Sequence, residues 1–227
     1  MPADCAFTDL AVLTGRPASV NVSQEGRLVI QAPPLVDWWR SPEPVAVNRK
    51  DGVFFGREVD PRRPFRCGLW IRATLDALYD QGCLVVHGGD LDDEQAHWLK
   101  AGTETFDDKE WVNAVVCAPW SDVSAVNAPR PLSSTADGAW TYLELTKERS
   151  ITGHTILIKW AVRPKPDLTN LPVEDLYNLR EVQAFGVDSS GKRTNPKRWY
   201  VGPMVSGLSN EVGARAEFEG FWLKYLD

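Results

Sequence analysis

The sequence predicts an all-β protein, an antiparallel β-sandwich, on three observations. Segments rich in β-branched and aromatic residues recur from end to end and are parted by clusters of Gly, Pro, Asp and Asn. Ten Trp, eight Phe and five Tyr accompany sixteen Pro, seventeen Gly and only two Met, which suits pleated surfaces joined by turns and interrupts helices. Where the apolar pattern can be followed closely it alternates with period two, as a strand with one buried face requires. A chain of 227 residues suits one such domain, so residues 1–227 are read as a single unit with a substantial core.

The expected strands run Arg27–Gln31, Val53–Val59, Leu69–Thr74, Cys83–His87, Trp98–Thr105, Trp111–Ala118, Trp140–Leu145, Thr155–Val162, Glu181–Val187, Tyr200–Val205 and Ala216–Tyr225. Two short helices are expected, Asp92–Ala96 and Val173–Leu179, the second opened by Pro172. Residues 163–178 and 188–198 read as long connections near the rim, where ligand contacts concentrate.

Charge narrows the partners. The formal net charge of -6 comes from interspersed acids and bases, so no basic stripe exists to neutralise phosphates, and nucleic acid and anionic membranes are not expected partners. No apolar run approaches the roughly 20 residues of a membrane helix. The start, MPADCAFTDLAVLTGRP, lacks the basic-then-apolar order of a secretory signal, so a cytoplasmic protein is expected. Cys5, Cys67, Cys83 and Cys117 form no C-x-x-C pair and read as reduced thiols. Asn21-Val22-Ser23 matches a glycosylation acceptor that such a protein would not use.

The middle of the chain permits a register. Leu84, Val86, Leu99, Ala101, Thr103, Val112, Ala114 and Val116 form the inward set; Gln81, Cys83, Val85, His87, Trp98, Lys100, Gly102, Glu104, Trp111, Asn113, Val115 and Cys117 form the outward one. A hairpin over residues 88–97 and a second turn at Asp107, Asp108 and Lys109 set the rows Gln81-Glu104-Trp111, Cys83-Gly102-Asn113, Val85-Lys100-Val115 and His87-Trp98-Cys117. Cys83 and Cys117 then lie on strands separated by a third, beyond disulfide reach.

This outer face is the candidate site. Glu104 stands beside Trp111 and Gln81, Lys100 between two valines, and Gly102 is expected to leave a depression between their rows. Apolar walls with a few placed polar groups suit a small molecule. A carboxyl against an aromatic wall tends to a raised pKa and a lysine among valines to a lowered one, which suits both to proton transfer. Both side chains are expected to point away from the core, so Glu104→Gln and Lys100→Met should leave folding intact. Trp38-Trp39-Arg40 presents its indoles on opposite faces, one to the core and the other to a ligand. Arg180 and Glu181 compete for the ligand side.

Other chemistries lack their motifs. His87, His97 and His154 have no metal-ligand spacing, and no metal or cofactor is expected. Asp90, Asp92, Asp93 and Glu94 fall short of a calcium loop. There is no G-x-S-x-G, G-x-G-x-x-G or phosphate loop. The E-x-D-x-E strand of glucanases is missing, and retaining glycoside hydrolysis needs a second carboxylate about 5 Å away.

Taken in order, Asp37-Trp38-Trp39-Arg40, Leu78 to Val86, Trp98-Leu99-Lys100-Ala101-Gly102-Thr103-Glu104, Ser121-Asp122-Val123-Ser124, Leu179-Arg180-Glu181-Val182 and Tyr200-Val201-Gly202-Pro203-Met204-Val205 resemble the yeast regulation-of-enolase protein family and its bacterial cousins, over roughly residues 35 to 225. Val123 stands where relatives usually have Trp, and Cys83 where Gly is frequent. The resemblance implies a concanavalin-like jelly roll of the lectin and glucanase type. Fungal members also resemble biosynthetic proteins that promote hetero-Diels-Alder coupling of a tropolone-derived or phenolic quinone methide with a macrocyclic terpene such as humulene.

The function expected from residues and resemblance together is a cofactor-free natural-product cyclase or isomerase acting on a small apolar or aromatic substrate. Lys100 or Glu104 would transfer protons, and Gln81, Asn113 and Arg40 would orient oxygens. Trp39, Trp98 and Trp111 would stack on rings, with His87 and Arg180 completing the lining. A regulator with a protein partner and a carbohydrate-binding protein are the alternatives.

Overall fold

The computed structural model describes residues 7–24, 26–132, 138–149, 154–187, 198–208 and 211–226. After a 3-10 turn at Phe7–Asp9 come β1 (Ala11–Thr14), β2 (Ser19–Val22), β3 (Leu28–Gln31), β4 (Trp38–Ser41), β5 (Val47–Lys50), β6 (Val53–Val59), β7 (Phe65–Thr74) and β8 (Gln81–Gly88). They are followed by β9 (His97–Phe106), β10 (Lys109–Cys117), β11 (Ser121–Asn127), β12 (Trp140–Arg149), β13 (His154–Arg163), β14 (Tyr177–Phe185), β15 (Trp199–Ser206) and β16 (Arg215–Tyr225). One sheet has the order β1-β6-β15-β8-β9-β10-β11, the other β14-β13-β12-β7-β16-β3-β2, and β4 pairs with β5 alone.

The sheets pack face to face, and the inward residues of the sequence register make the core. Leu84, Val86, Leu99, Ala101, Val112, Ala114 and Val116 lie in one buried cluster with Cys67, Leu69, Ile71, Leu143, Leu145, Ile156 and Phe218. The register itself matches expectation row for row: Gln81, Cys83, Val85 and His87 oppose Glu104, Gly102, Lys100 and Trp98, which oppose Trp111, Asn113, Val115 and Cys117.

The turn joining β9 to β10 is tighter than expected. Lys109 pairs with Phe106, leaving Asp107 and Asp108 as a two-residue turn, both at positive φ (51° and 55°), the geometry that matches the twist of a hairpin. The expected helices do not form. Residues 92–96 are turns, and 173–176 are bends leading into β14. The segments span five and seven residues, at most about two helical turns, too short to repay nucleation. The short strands β1, β2, β5 and β11 went unanticipated, being half-exposed segments with little apolar alternation. Cys67, Cys83 and Cys117 are buried thiols. Cys5 and residues 188–197, which include most of the second expected rim loop, lie outside the described residues.

Gly102 does not open a depression. A Cβ there would lie 2.0 Å from the Gly82 carbonyl oxygen and 2.7 Å from Cys83 Sγ, so the space is already filled by the neighbouring strand. Gly102→Ala is expected to cost about 1–3 kcal/mol by forcing β8 and β9 apart, measured as a fall in the urea midpoint. Unchanged stability would show that the strands separate more readily than this packing implies.

Candidate functional site

Most of the outer face of β8, β9 and β10 is covered, the Trp111 end excepted. Its residues Cys83, Val85, Trp98, Val115 and Cys117 cluster with Trp38, Phe54, Tyr200 and Met204, and Trp39, Leu13 and Leu91 pack on from the side. The cover is the β4–β5 hairpin. Burial alternates along β4, as the sequence reading expects: Trp38 and Arg40 are buried, Trp39 and Ser41 half-buried, with Trp38 inside this cluster and Trp39 packed against it. Trp38 sits edge-on to Trp98 at 5.5 Å, to Phe54 at 5.4 Å and to His87 at 5.7 Å. Burial of this many aromatic rings holds the hairpin down.

Beneath that cover the polar residues form one connected cluster. Lys100, 2% exposed, donates from Nζ to Asp37 Oδ1 at 2.7 Å. Gln81 Nε2 is 3.2 Å from the same Asp37 oxygen and 3.3 Å from Glu104 Oε1. Ser206 Oγ reaches Asp37 at 3.5 Å, and Asn113 Nδ2 donates to Glu104 Oε2. Asp37 is fixed by its own backbone, which accepts from the amides of Asp51 and Gly52 and donates to the Asp51 carboxylate. Asp37 and Ser206 were missed in the sequence. The available signal was Lys100 inside an apolar run, because a buried ammonium needs a carboxylate.

Electrostatics separates the two ionisable residues proposed for catalysis. Burial pushes the Glu104 carboxyl up to about 7, reinforced by the Asp37 charge and opposed by Lys100 and the Asn113 hydrogen bond. Lys100 departs from expectation. Burial does act to lower its pKa, but the Asp37 and Glu104 carboxylates outweigh it and hold the ammonium above its usual value. Lys100 is thus a fixed cation, and Glu104, 8% exposed, is the group able to exchange a proton near neutrality. Its row-mate Trp111 is half-exposed, stacked on Phe106 at 4.8 Å and donating its indole N–H to the Phe106 carbonyl at 2.9 Å. This end of the face is where solvent and the carboxyl come closest.

The remaining expected site residues disperse. His87 is fully buried, with Nδ1 3.2 Å from the Gly89 carbonyl, and burial lowers its pKa to about 3, leaving a neutral ring. Arg40 is a buried tie. Its guanidinium donates to Asn48 Oδ1 at 3.3 Å, the Pro119 carbonyl at 3.2 Å and the Glu94 carbonyl, while its backbone N–H donates to Ser121 Oγ. It anchors the hairpin to the loops before β9 and β11. Arg180 lies on the other side of the sheet. It bonds Asp122 and Ser124, which oppose Val116 and Ala114, the inward set; Glu181 is exposed. Val123, opposite Val115 on the site face, is 45% exposed. Among the described residues no group of three or more His, Cys, Asp and Glu side chains is placed to hold a metal, and no helix is long and apolar enough to cross a membrane.

Two large antiparallel sheets with a covered, charged outer face place the chain among concanavalin-like sandwiches. It belongs to the family described as "Protein of unknown function (DUF1349)", whose model matches residues 14–155. Regulation of enolase protein 1 of Saccharomyces cerevisiae is 26% identical over 162 residues, covering 71% of this chain and 74% of that protein. A functionally unknown Saccharomyces cerevisiae protein of solved structure superposes with a TM-score of 0.72 at 20% identity, over 98% of this chain and 100% of that one. The legume lectin-like domain from Entamoeba histolytica superposes at 0.53 with 10% identity, over 98% and 92%. The two superpositions speak for the fold alone.

Proposed function

We propose that the protein is a cofactor-independent acid–base catalyst of the cyclase or isomerase class, with Glu104 as its proton carrier and an organic substrate held against Trp111 and Phe106. The supporting observation is the setting of Glu104: a carboxyl on a central strand, gripped by the Gln81 and Asn113 amides, with the Asp37–Lys100 pair behind it. Rigid strands hold a catalytic group more accurately than loops do. Lys100 serves as a fixed positive charge that favours an oxyanion forming nearby.

The most specific form of the reading is the one the family resemblance implies, generation and capture of a quinone methide. Protonated Glu104 gives its proton to the hydroxyl of a hydroxymethyl phenol. The C–O bond breaks, water leaves, and the carboxylate takes the phenolic proton, so one water is lost and the acid is restored. An alkene then adds across the heterodiene without further proton transfer. Glu104→Gln keeps the shape and removes the proton, so turnover of o-hydroxybenzyl alcohol with humulene should fall 10²- to 10⁴-fold, within the range for general acid–base groups. Equal product formation by wild type and variant would remove Glu104 from the mechanism.

A second reading is regulatory, favoured by the relative named for enolase regulation. It is separated by assaying enolase with and without this chain: a change in enolase rate that persists in Glu104→Gln supports the regulator and not the catalyst.

A further inference from the structure

A further concave feature lies on the opposite side of the molecule. The connection from β13 to β14 was expected as a long loop near the rim of the sandwich. It instead crosses the outer face of the second sheet, where Leu168, Leu171, Val173 and Leu176 pack on Trp70, Trp140 and Tyr142. A cavity of about 890 Å³ opens between the connection and the sheet. A second, of about 470 Å³, adjoins it across Pro172, Val173 and Glu174. Together they make one track along the connection, each cavity within the size range of small-molecule sites.

The lining indicates the ligand's chemistry. Arg163, Lys165 and Lys159 line the track with Arg66, which Glu144 pairs; among the described residues the first three have no carboxylate within ion-pair distance, and Arg163 Nη1 donates to the Val162 carbonyl at 3.1 Å. Asp167, the acid nearest them in sequence, is turned to its own loop, accepting from Thr169 N, Thr169 Oγ1 and Asn170 Nδ2 at 2.7–2.9 Å. Those hydrogen bonds hold its carboxyl down at about 2. Of the acids lining the track, Glu174 and Asp175 alone stay uncommitted against three cations. The polar Thr169 and Asn170 and the apolar Leu171 and Pro172 share the lining. Cations without a carboxylate partner, neutral hydrogen-bonding groups and apolar strips in one open track match a ligand with carboxylates, hydroxyls and C–H faces.

We infer that the track between the β13–β14 connection and the second sheet binds a short acidic oligosaccharide, one bearing uronate carboxylates. The site is separate from Glu104, on the far side of the sandwich, and stands or falls independently of the catalytic reading. Arg163 and Lys165 would pair with carboxylates, while Asn170 and Thr169 would bond ring hydroxyls. Pairing at partly exposed positions is screened by salt, so affinity should weaken as ionic strength rises.

The test is calorimetric titration of the full chain with tetragalacturonate and with uncharged cellotetraose. Tetragalacturonate should bind, less tightly at high salt, and the Arg163→Gln/Lys165→Gln double variant should weaken it by about tenfold or more, as expected for loss of two charged hydrogen bonds at exposed sites. Arg163 is half-buried and Lys165 exposed, so the variant should fold; an unchanged circular dichroism spectrum and urea midpoint establish that. Arg16→Gln/Arg62→Gln, which removes two exposed charges elsewhere, should leave affinity unchanged. The inference is overturned by absence of tetragalacturonate binding at millimolar concentration, by equal binding of cellotetraose, or by equal loss in both double variants.

Discussion

Lys100→Met is expected to destabilise the fold by about 3–5 kcal/mol, the cost of breaking a buried ion pair from one side. The substitution removes the ammonium 2.7 Å from Asp37 Oδ1 and leaves, among the described residues, the Gln81 amide and the Ser206 hydroxyl as donors to that oxygen. Read as an outward-facing residue, Lys100 seemed replaceable without harm to folding; under the hairpin it is 2% exposed, which reverses that expectation. The penalty belongs to the stranded Asp37 charge more than to the lost attraction, so adding Asp37→Asn to Lys100→Met should recover at least about 1 kcal/mol, since Asn keeps the acceptor and drops the charge. Urea unfolding of the two single variants and the double variant measures it. A Lys100→Met cost below about 1 kcal/mol would mean that the hairpin does not seal this pair in solution.

The sequence was most informative where one physical rule acted alone. Alternation in Leu99–Glu104, carried across the hairpin to Trp111–Cys117, decided which side chains meet the core, and a one-residue slip would have turned Leu99, Ala101, Val112 and Ala114 out to water. That constraint gave the three-strand register. It says nothing of what covers the other face, because the covering hairpin lies distant in sequence. A clue was nonetheless present: Cys83-Leu84-Val85-Val86 and Ala114-Val115-Val116-Cys117 are continuous apolar runs, which strands show when both faces are covered. The cover then decides the chemistry. With Asp37 lowered onto the face, Lys100 becomes a paired cation instead of a base. Arg40, aimed in the sequence reading at a ligand, becomes the tie that holds the cover. Arg180 was ambiguous because β14 is an edge strand with register irregularities against β13, so period two could not be carried through it.

The second large effect is a pH-dependent difference in stability between the wild type and Glu104→Gln. The folded carboxyl titrates at about 7 against an ordinary 4.5, so between these values the folded protein holds a proton that the unfolded chain has released. Folding stability supplied by Glu104 is therefore fully present below about pH 4.5, falls as pH rises toward 7, and is constant above. At 1.36 kcal/mol for each pH unit of the interval, the loss amounts to about 3 kcal/mol. His87 acts in the opposite direction. Its folded value lies near 3 against 6.5, so its contribution is present above about pH 6.5 and is lost as pH falls toward 3. Cys83, raised by burial, and Lys100, held charged by its carboxylates, do not change state in this window. The two opposed slopes overlap from about pH 4.5 to 6.5, which flattens the wild-type profile. Subtracting the unfolding free energies of Glu104→Gln from those of the wild type at each pH cancels the His87 contribution and leaves that of Glu104. The difference should move against the wild type by about 3 kcal/mol from pH 4.5 to 7.5. A difference that stays level across that range would place the Glu104 carboxyl in water, outside the grip of Gln81 and Asn113, and would remove the basis for its role as a proton carrier.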